Sequence, residues 1–463
     1  MFMENWNFLI PSGRLFIDFA IIGGLFLVAM VVRRYIPFLH RYLVPVNIIA
    51  GVLGMLIGGS GLELVDLDPN RMGVYVYHLL ALTFIAVSLG TGKRKLARTS
   101  TITGFILVAT YVGQAIIGIA LALLIKWLIM PDLFAGFGMM LPLGYGMGPG
   151  IAFSISRSWE PFGFTNGGIA GLTIANLGFV WAYIGGVILM RRGIAKGEST
   201  HFANGLTLSD ALKTGYIAPE QQPEAGKQTS PVEVIEALTV HFGIIGLVYL
   251  FTIWTCTGLE KVLLSIGAER EVGTLWSFHF LLGSMVAIAT RKLLNLIGLS
   301  KWLDEGLLHR TANLFVDYML AASLIAISLQ VALDYWIPLT IIGIAGGVFT
   351  VWILKILVYK LFSENRFERF LAFFANSTGT IQSGLVLLRV VDPEYKSGAA
   401  DDLVYGSSVA LLLGFPLLVL INIPVHNYNS SLEGYLVVLG ALTVYLAALV
   451  GYAWLRLRNR NGE

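Results

Sequence analysis

The chain has 463 residues, of which 56% are hydrophobic and 13% charged, and its formal net charge is +3. Soluble domains carry about a quarter charged residues, so water is not this chain's main solvent; the small net charge, spread in short clusters between apolar stretches, does not point to nucleic acid. The single cysteine, Cys256, excludes an internal disulfide and a multi-cysteine metal site.

A hydrocarbon core of roughly 30 Å is crossed by about 20 helical residues, and apolar runs of that length recur along the whole chain. They predict spans near 15–32, 42–60, 76–91, 102–127 and 166–190, five in the first half. The first of these follows little positive charge and precedes no small-residue cleavage site, so a retained span is expected rather than a signal peptide. A polar segment, 191–236, reads as a cytoplasmic linker. Five more spans follow near 238–257, 275–293, 311–330, 338–359 and 403–424, and a last one near 433–455 ends in Arg456, Arg458 and Arg460.

Two apolar stretches break the helical pattern. In 133–157, six glycines and the prolines Pro142 and Pro149 interrupt it, and in 370–389 the polar run from Asn376 to Gly384 does so. Each is expected to be a re-entrant hairpin whose tip lines a pathway, because lipid cannot satisfy non-helical backbone. With both stretches re-entrant and the N-terminus outside, 25 of the 31 Lys and Arg residues fall on the cytoplasmic side and six outside. If both stretches crossed, that bias would vanish.

Five spans per half is an odd number, so the second half enters the membrane inverted relative to the first. Phe84-Ile85-Ala86-Val87-Ser88-Leu89 is echoed by Leu324-Ile325-Ala326-Ile327-Ser328-Leu329, and an Arg-x-x-acid-Pro pattern follows each hairpin, at Arg157, Glu160 and Pro161 and at Arg389, Asp392 and Pro393. The expected fold is an all-α polytopic membrane protein with two inverted repeats, each of five transmembrane helices plus one re-entrant hairpin. The first repeat is 1–190 and the second 237–425, with an extra span and a basic cytoplasmic tail in 426–463.

Each hairpin tip presents the free carbonyls of one helix end and the free N–H groups of another, so two tips meeting at mid-depth suit an anion together with a small cation. The substrate-binding candidates are Gly146, Met147, Gly148, Gly150 and Ser154 in the first hairpin, and Ser377, Thr378, Gly379, Thr380, Gln382 and Ser383 in the second. The glycines also suit tight helix packing and the hydroxyls local backbone bonding. Arg389, like Arg157, fits either a clamp on an acidic substrate or a plain helix stop at the membrane surface. The cation-binding candidates are Asn176, Asn313 and Asp317. Asp317 is an intramembrane carboxylate that either binds the ion or pairs near the surface with Arg310, and Asn176 either coordinates or bonds between helices. Asp18, four residues after Arg14, reads as half of an interfacial i,i+4 pair.

No catalytic motif is present: Gly-x-Ser-x-Gly and His-Glu-x-x-His are missing, and the seven histidines have no metal-ligand spacing. Gly90-Thr91-Gly92-Lys93 fails as a P-loop, because Val87 and Arg94 occupy the places of its first glycine and its Ser or Thr. No enzyme, no transition-metal site and no organic cofactor are expected.

Val44-Pro45 leading to Ala50-Gly51, the span Leu80 to Gly90, the loop Gly144-Tyr145-Gly146-Met147-Gly148-Pro149-Gly150 and Gly163-Phe164-Thr165-Asn166 resemble the bacterial sodium:glutamate symporter family over roughly the first 425 residues. The resemblance implies Na⁺-coupled uptake of glutamate, pseudo-symmetric halves with re-entrant loops, and a homodimer with a moving transport domain in the cell inner membrane. Met147 and Pro149 stand where the family tends to carry polar residues, the second loop replaces a Gly-x-Gly-type pattern, and the final span is additional. Another small carboxylate or amino-acid anion is the open alternative for the substrate, and H⁺ for the coupling ion. An ion channel would need continuous polar lining, and the spans show little.

Overall fold

The computed structural model describes residues 14–90, 98–201, 215–217, 219–222 and 226–458, and every regular element among them is helical. Lys93, Arg94 and Lys95, most of the middle of the linker, and the tail after Arg458 lie outside the described residues. In chain order the first half forms α1 (Leu15–Tyr35), α2 (Val46–Ile57), α3 (Pro69–Leu89), α4 (Arg98–Leu128), α5 (Pro149–Ser158), α6 (Gly167–Val180) and α7 (Gly186–Ala195). The second half forms α8 (Ala237–Ser265), α9 (Glu271–Ser277), α10 (His279–Leu296), α11 (Glu305–Ile325), α12 (Leu329–Asp334), α13 (Trp336–Leu361), α14 (Arg366–Thr378), α15 (Ile381–Val391), α16 (Ala399–Leu413) and α17 (Phe415–His426), and α18 (Leu432–Arg458) follows.

Among the described residues, seven helical stretches are long and apolar enough to cross a membrane: α1, α3, α4, α6 with α7, α8, α13 and α18. Two bent pairs, α9 with α10 at 56° and α16 with α17 at 42°, bring the number to nine. The chain is a multi-pass helical membrane protein. Two of the eleven expected spans do not meet that standard. Near 42–60 the helix α2 has only 12 residues, about 18 Å at 1.5 Å per residue, because the chain leaves the helix at Gly58. Near 311–330, α11 is long enough, but Arg310, Asn313 and Asp317 dilute its apolar character, and it unwinds at 326–328 before α12.

The centre of one layer is α3 packed along α11, with α2 lying on α11 and α10 on α3; α1 backs α2, and α8 backs α10. The echoed segments fall at the ends of these central helices, 84–89 closing α3 and 324–329 straddling the end of α11. A second group is built on α4, which packs against α13, α16 and α18.

The two irregular stretches are each helix, break, helix. In the first, a 3₁₀ turn (Ala135–Met139) and a π turn (Pro142–Gly146) lead to a break at Met147 and Gly148, and α5 leaves it. In the second, α14 and α15 flank a break at Gly379 and Thr380, and the limbs pack so closely that a methyl group on Gly384 would stand 2.6 Å from the Ala372 carbonyl oxygen.

Two buried polar groups tie elements together. Asp18 on α1 is fully buried; Arg71 Nε donates to it at 2.7 Å and the Tyr75 hydroxyl at 2.6 Å, both from α3. This corrects the expected pair with Arg14: Asp18 faces inward and needs a buried partner, while the exposed Arg14 pairs with Asp66. Glu368, also fully buried at the start of α14, accepts from the Thr200 N–H at 2.8 Å and from the Ser199 and Thr200 hydroxyls, so the first linker residues are pinned to the second hairpin.

Candidate functional site

Helix breaks are where backbone groups lose their in-helix partners, so the site is built from the two breaks outward. At the first, the Met147 N–H donates to the Pro142 carbonyl at 3.1 Å, and Gly148 adopts φ +91° with nothing within 4 Å of where a Cβ would stand. That dihedral favours glycine, and Pro149 then opens α5 at a position where its missing N–H costs nothing. At the second break, α14 ends at Thr378, and Thr380 caps α15, its Oγ1 accepting from the Ser383 N–H at 3.4 Å.

The two breaks converge on α4 and α6. The Tyr111 ring from α4 lies against Gly146, leaving no room for a Cβ there, and its hydroxyl accepts from Asn376 Nδ2 at 3.3 Å. One turn on, Gln114 Nε2 donates to the Ser377 carbonyl at 3.0 Å and to Thr350 Oγ1 of α13 at 2.8 Å. From α6, Gly178 receives the Thr378 carbonyl on one side and the Tyr145 ring on the other, 2.9 Å from where its Cβ would be. The Tyr145 hydroxyl and Trp181 Nε1 both donate to the Gly343 carbonyl, at 2.8 and 3.1 Å. At this junction Gln114 Oε1 and Ser377 Oγ are buried with no hydrogen-bond partner among the described residues. Buried polar atoms are almost always satisfied, so the pair marks a place for a further polar partner.

A second cluster lies at the start of α15. The Tyr183 hydroxyl and Ser383 Oγ are 2.8 Å apart, Thr380 Oγ1 is 3.4 Å from Ser383 Oγ, and Gln382 is half-buried beside them. Tyr183 belongs to a π turn (Trp181–Gly185) joining α6 to α7; such turns concentrate at functional sites because they redirect side chains. Asp317 on α11 is exposed and accepts from Asn47 Nδ2 at 2.8 Å. Asn47 Oδ1 is buried with no partner.

The remaining expected residues are placed elsewhere. Gly150 packs on Leu80 of α3, and Ser154 Oγ donates to the Ser277 carbonyl at 2.8 Å, fastening α5 to the end of α9. Asn313 is exposed one turn before Asp317. Asn176 Nδ2 donates to the Leu172 carbonyl at 2.9 Å and to the Ser323 carbonyl at 3.1 Å, an interhelical bond between α6 and α11. Arg389 is exposed in the last turn of α15, nine residues and so about 14 Å along the helix from Thr380; it does not join the tips. The acids of the two Arg-x-x-acid-Pro patterns cap backbone instead: Glu160 accepts from the Gly168 N–H at 3.1 Å, and Asp392 from the Lys396 and Ser397 N–H groups at 2.9 and 2.8 Å.

Tyr111, Gln114, Tyr145, Tyr183, Thr350 and Asn376 complete the site beyond the expected set. Thr103, Thr110 and Gln114 recur at intervals of seven and four along α4 and are all buried, a readable polar stripe. Asn376 opens the polar run already identified. Tyr183 carries no such signal, because an aromatic residue in an apolar span is ordinary.

Among the described residues, the junction of the tips holds hydroxyls, amides and carbonyls but no carboxylate. Its charge therefore comes from helix ends: the N-termini of α5 and α15 attract an anion, and the free carbonyls and hard oxygen donors suit a small cation. Comparisons with protein-family models, with curated proteins and with solved structures return no match.

Proposed function

We propose that the chain is a secondary active transporter that carries a small anion, glutamate or a related carboxylate or amino-acid anion, together with a coupling cation, Na⁺ or H⁺. The observation that carries this reading is the convergence of two interrupted helices: both breaks come together against Tyr111 and Gly178. Discontinuous helices from two repeats meeting at one place are the hallmark of this transporter class. The inverted repeat is supported by the exchange in packing, in which α2 lies on α11 as α10 lies on α3, and by the echoed segments and the charge bias. On this reading the N-terminus is outside, the C-terminus is cytoplasmic, and the resemblance to the sodium:glutamate symporter family adds a homodimer in the cell inner membrane.

In the transport step, the anion sits between the N-termini of α5 and α15, near Met147, Gly148 and Thr380, while the cation takes oxygen donors such as Gln114 Oε1 and Ser377 Oγ. Asp317, exposed on α11 and bonded by Asn47, is the group suited to carry a proton if H⁺ is the coupling ion. The test is uptake of radiolabelled glutamate and a panel of small carboxylates into proteoliposomes, with inward Na⁺ and H⁺ gradients imposed separately. Accumulation of one anion under one gradient is expected. Equal uptake of every anion with and without either gradient would remove the symport reading.

A further inference from the structure

The last helix, α18, has no counterpart in the first half, yet its contacts fall on the elements that hold the first hairpin. Between α16 and α17 the chain bends by 42° at Gly414. Leu413 ends α16, where carbonyls run out of in-helix donors, and Pro416 just beyond has no N–H to supply. The donor comes from α18: the Tyr445 hydroxyl bonds the Leu413 carbonyl. The bend so fixed is the surface against which the first tip rests, since the Met147 methyl lies 3.7 Å from where a Cβ on Gly414 would stand.

Two more contacts point the same way. Tyr435 near the start of α18 is fully buried, with its hydroxyl 3.1 Å from the Cβ position of Gly136 in the first limb of that hairpin. Tyr452 stacks on Phe105 of α4 at 4.5 Å between ring centroids, and α4 is the helix that presents Tyr111 and Gln114 to both tips. The second hairpin packs chiefly on α13, on the opposite end of α16 at Asp402 and Leu403, and on the Ser199–Thr200 strap.

We infer that α18 is a brace for the first hairpin, with Tyr445 as the positioning residue that fixes the bend at Gly414 and, through it, the tip at Met147. The inference rests on the reading that the tips line the transport pathway, and it gives the extra span a role beyond anchoring in lipid. A hairpin supported by a bond from another helix moves when that bond is removed; the opposite hairpin does not.

The test uses full-length protein with Cys256→Ser, carrying either Met147→Cys or Gln382→Cys, each with and without Tyr445→Phe, in proteoliposomes. The rate of labelling by a water-soluble maleimide is read at both sites. Loss of one hydrogen bond is expected to change the rate at position 147 by about fivefold while leaving position 382 unchanged. An unchanged rate at 147 overturns the brace, and so does an equal change at both positions, which is general loosening. If both cysteines are inert with Tyr445 intact, the pathway reading itself fails and the inference falls with it.

Discussion

Gly178 meets residues of both hairpins, the Thr378 carbonyl and the Tyr145 ring, and a side chain there has nowhere to go. Gly178→Ala is expected to cost about 1–3 kcal/mol through overpacking and to lower uptake, because the backbone of one tip must shift. Thermal unfolding of the purified protein measures the first effect; an unchanged midpoint would mean the junction is looser than described. Gln114 separates function from stability. Gln114→Leu removes the unpartnered Oε1 and the two donated bonds, leaving the Ser377 carbonyl and Thr350 Oγ1 without that donor, so stability should fall by no more than about 1–3 kcal/mol, while gradient-driven uptake per folded protein falls at least tenfold if that oxygen serves the cation. Uptake lost only in proportion to folded protein would assign Gln114 a packing role alone. At this scale the sequence was only partly informative. The polar run of the second hairpin was visible because Asn, Ser and Thr are foreign to an apolar span, but Tyr111 and Tyr183 were not. What selects an aromatic residue for a site is the tertiary position of its hydroxyl, to which hydropathy is blind.

Among the elements, the breaks were legible and the lengths were not. Pro142, Pro149 and the Gly379 region interrupt helices by local chemistry, through missing donors and backbone freedom; the structure passes into a π turn at Pro142 and breaks at Met147 and Gly148, just before Pro149, and at Gly379 and Thr380. The shortness of α2 was hidden because the apolar run begins ahead of the helix, at residues 42–44, whereas the helix starts only after Pro45 and ends at Ile57. The partner of Asp18 was hidden for another reason. Arg71 is 53 residues away, and local spacing rules see only the Arg14 four residues back. The pair is buried, so Arg71→Met should cost about 3–5 kcal/mol by stranding the carboxylate, whereas Asp18→Leu combined with Arg71→Met should recover much of that loss. Chemical or thermal denaturation of both variants decides the matter. A double variant no more stable than the single one would show that the bond from Tyr75, rather than the charge pair, ties α1 to α3.

At the scale of the whole molecule, hydropathy gave the class of protein, a multi-pass helical membrane protein; the inverted arrangement of halves is part of the proposal, and in the structure α2 packs on α11 and α10 on α3. The proposed function depends on whether the two tips form one aqueous site. Met147 and Ile381 flank the breaks and are half-buried, so cysteines there report on it in a Cys256→Ser background. Labelling both with a water-soluble thiol reagent, with and without the anion that the uptake screen identifies, is the most direct measurement. Both positions should react, and the same anion should protect both. Protection at one tip alone, or reaction at neither, would contradict a shared site between the hairpins.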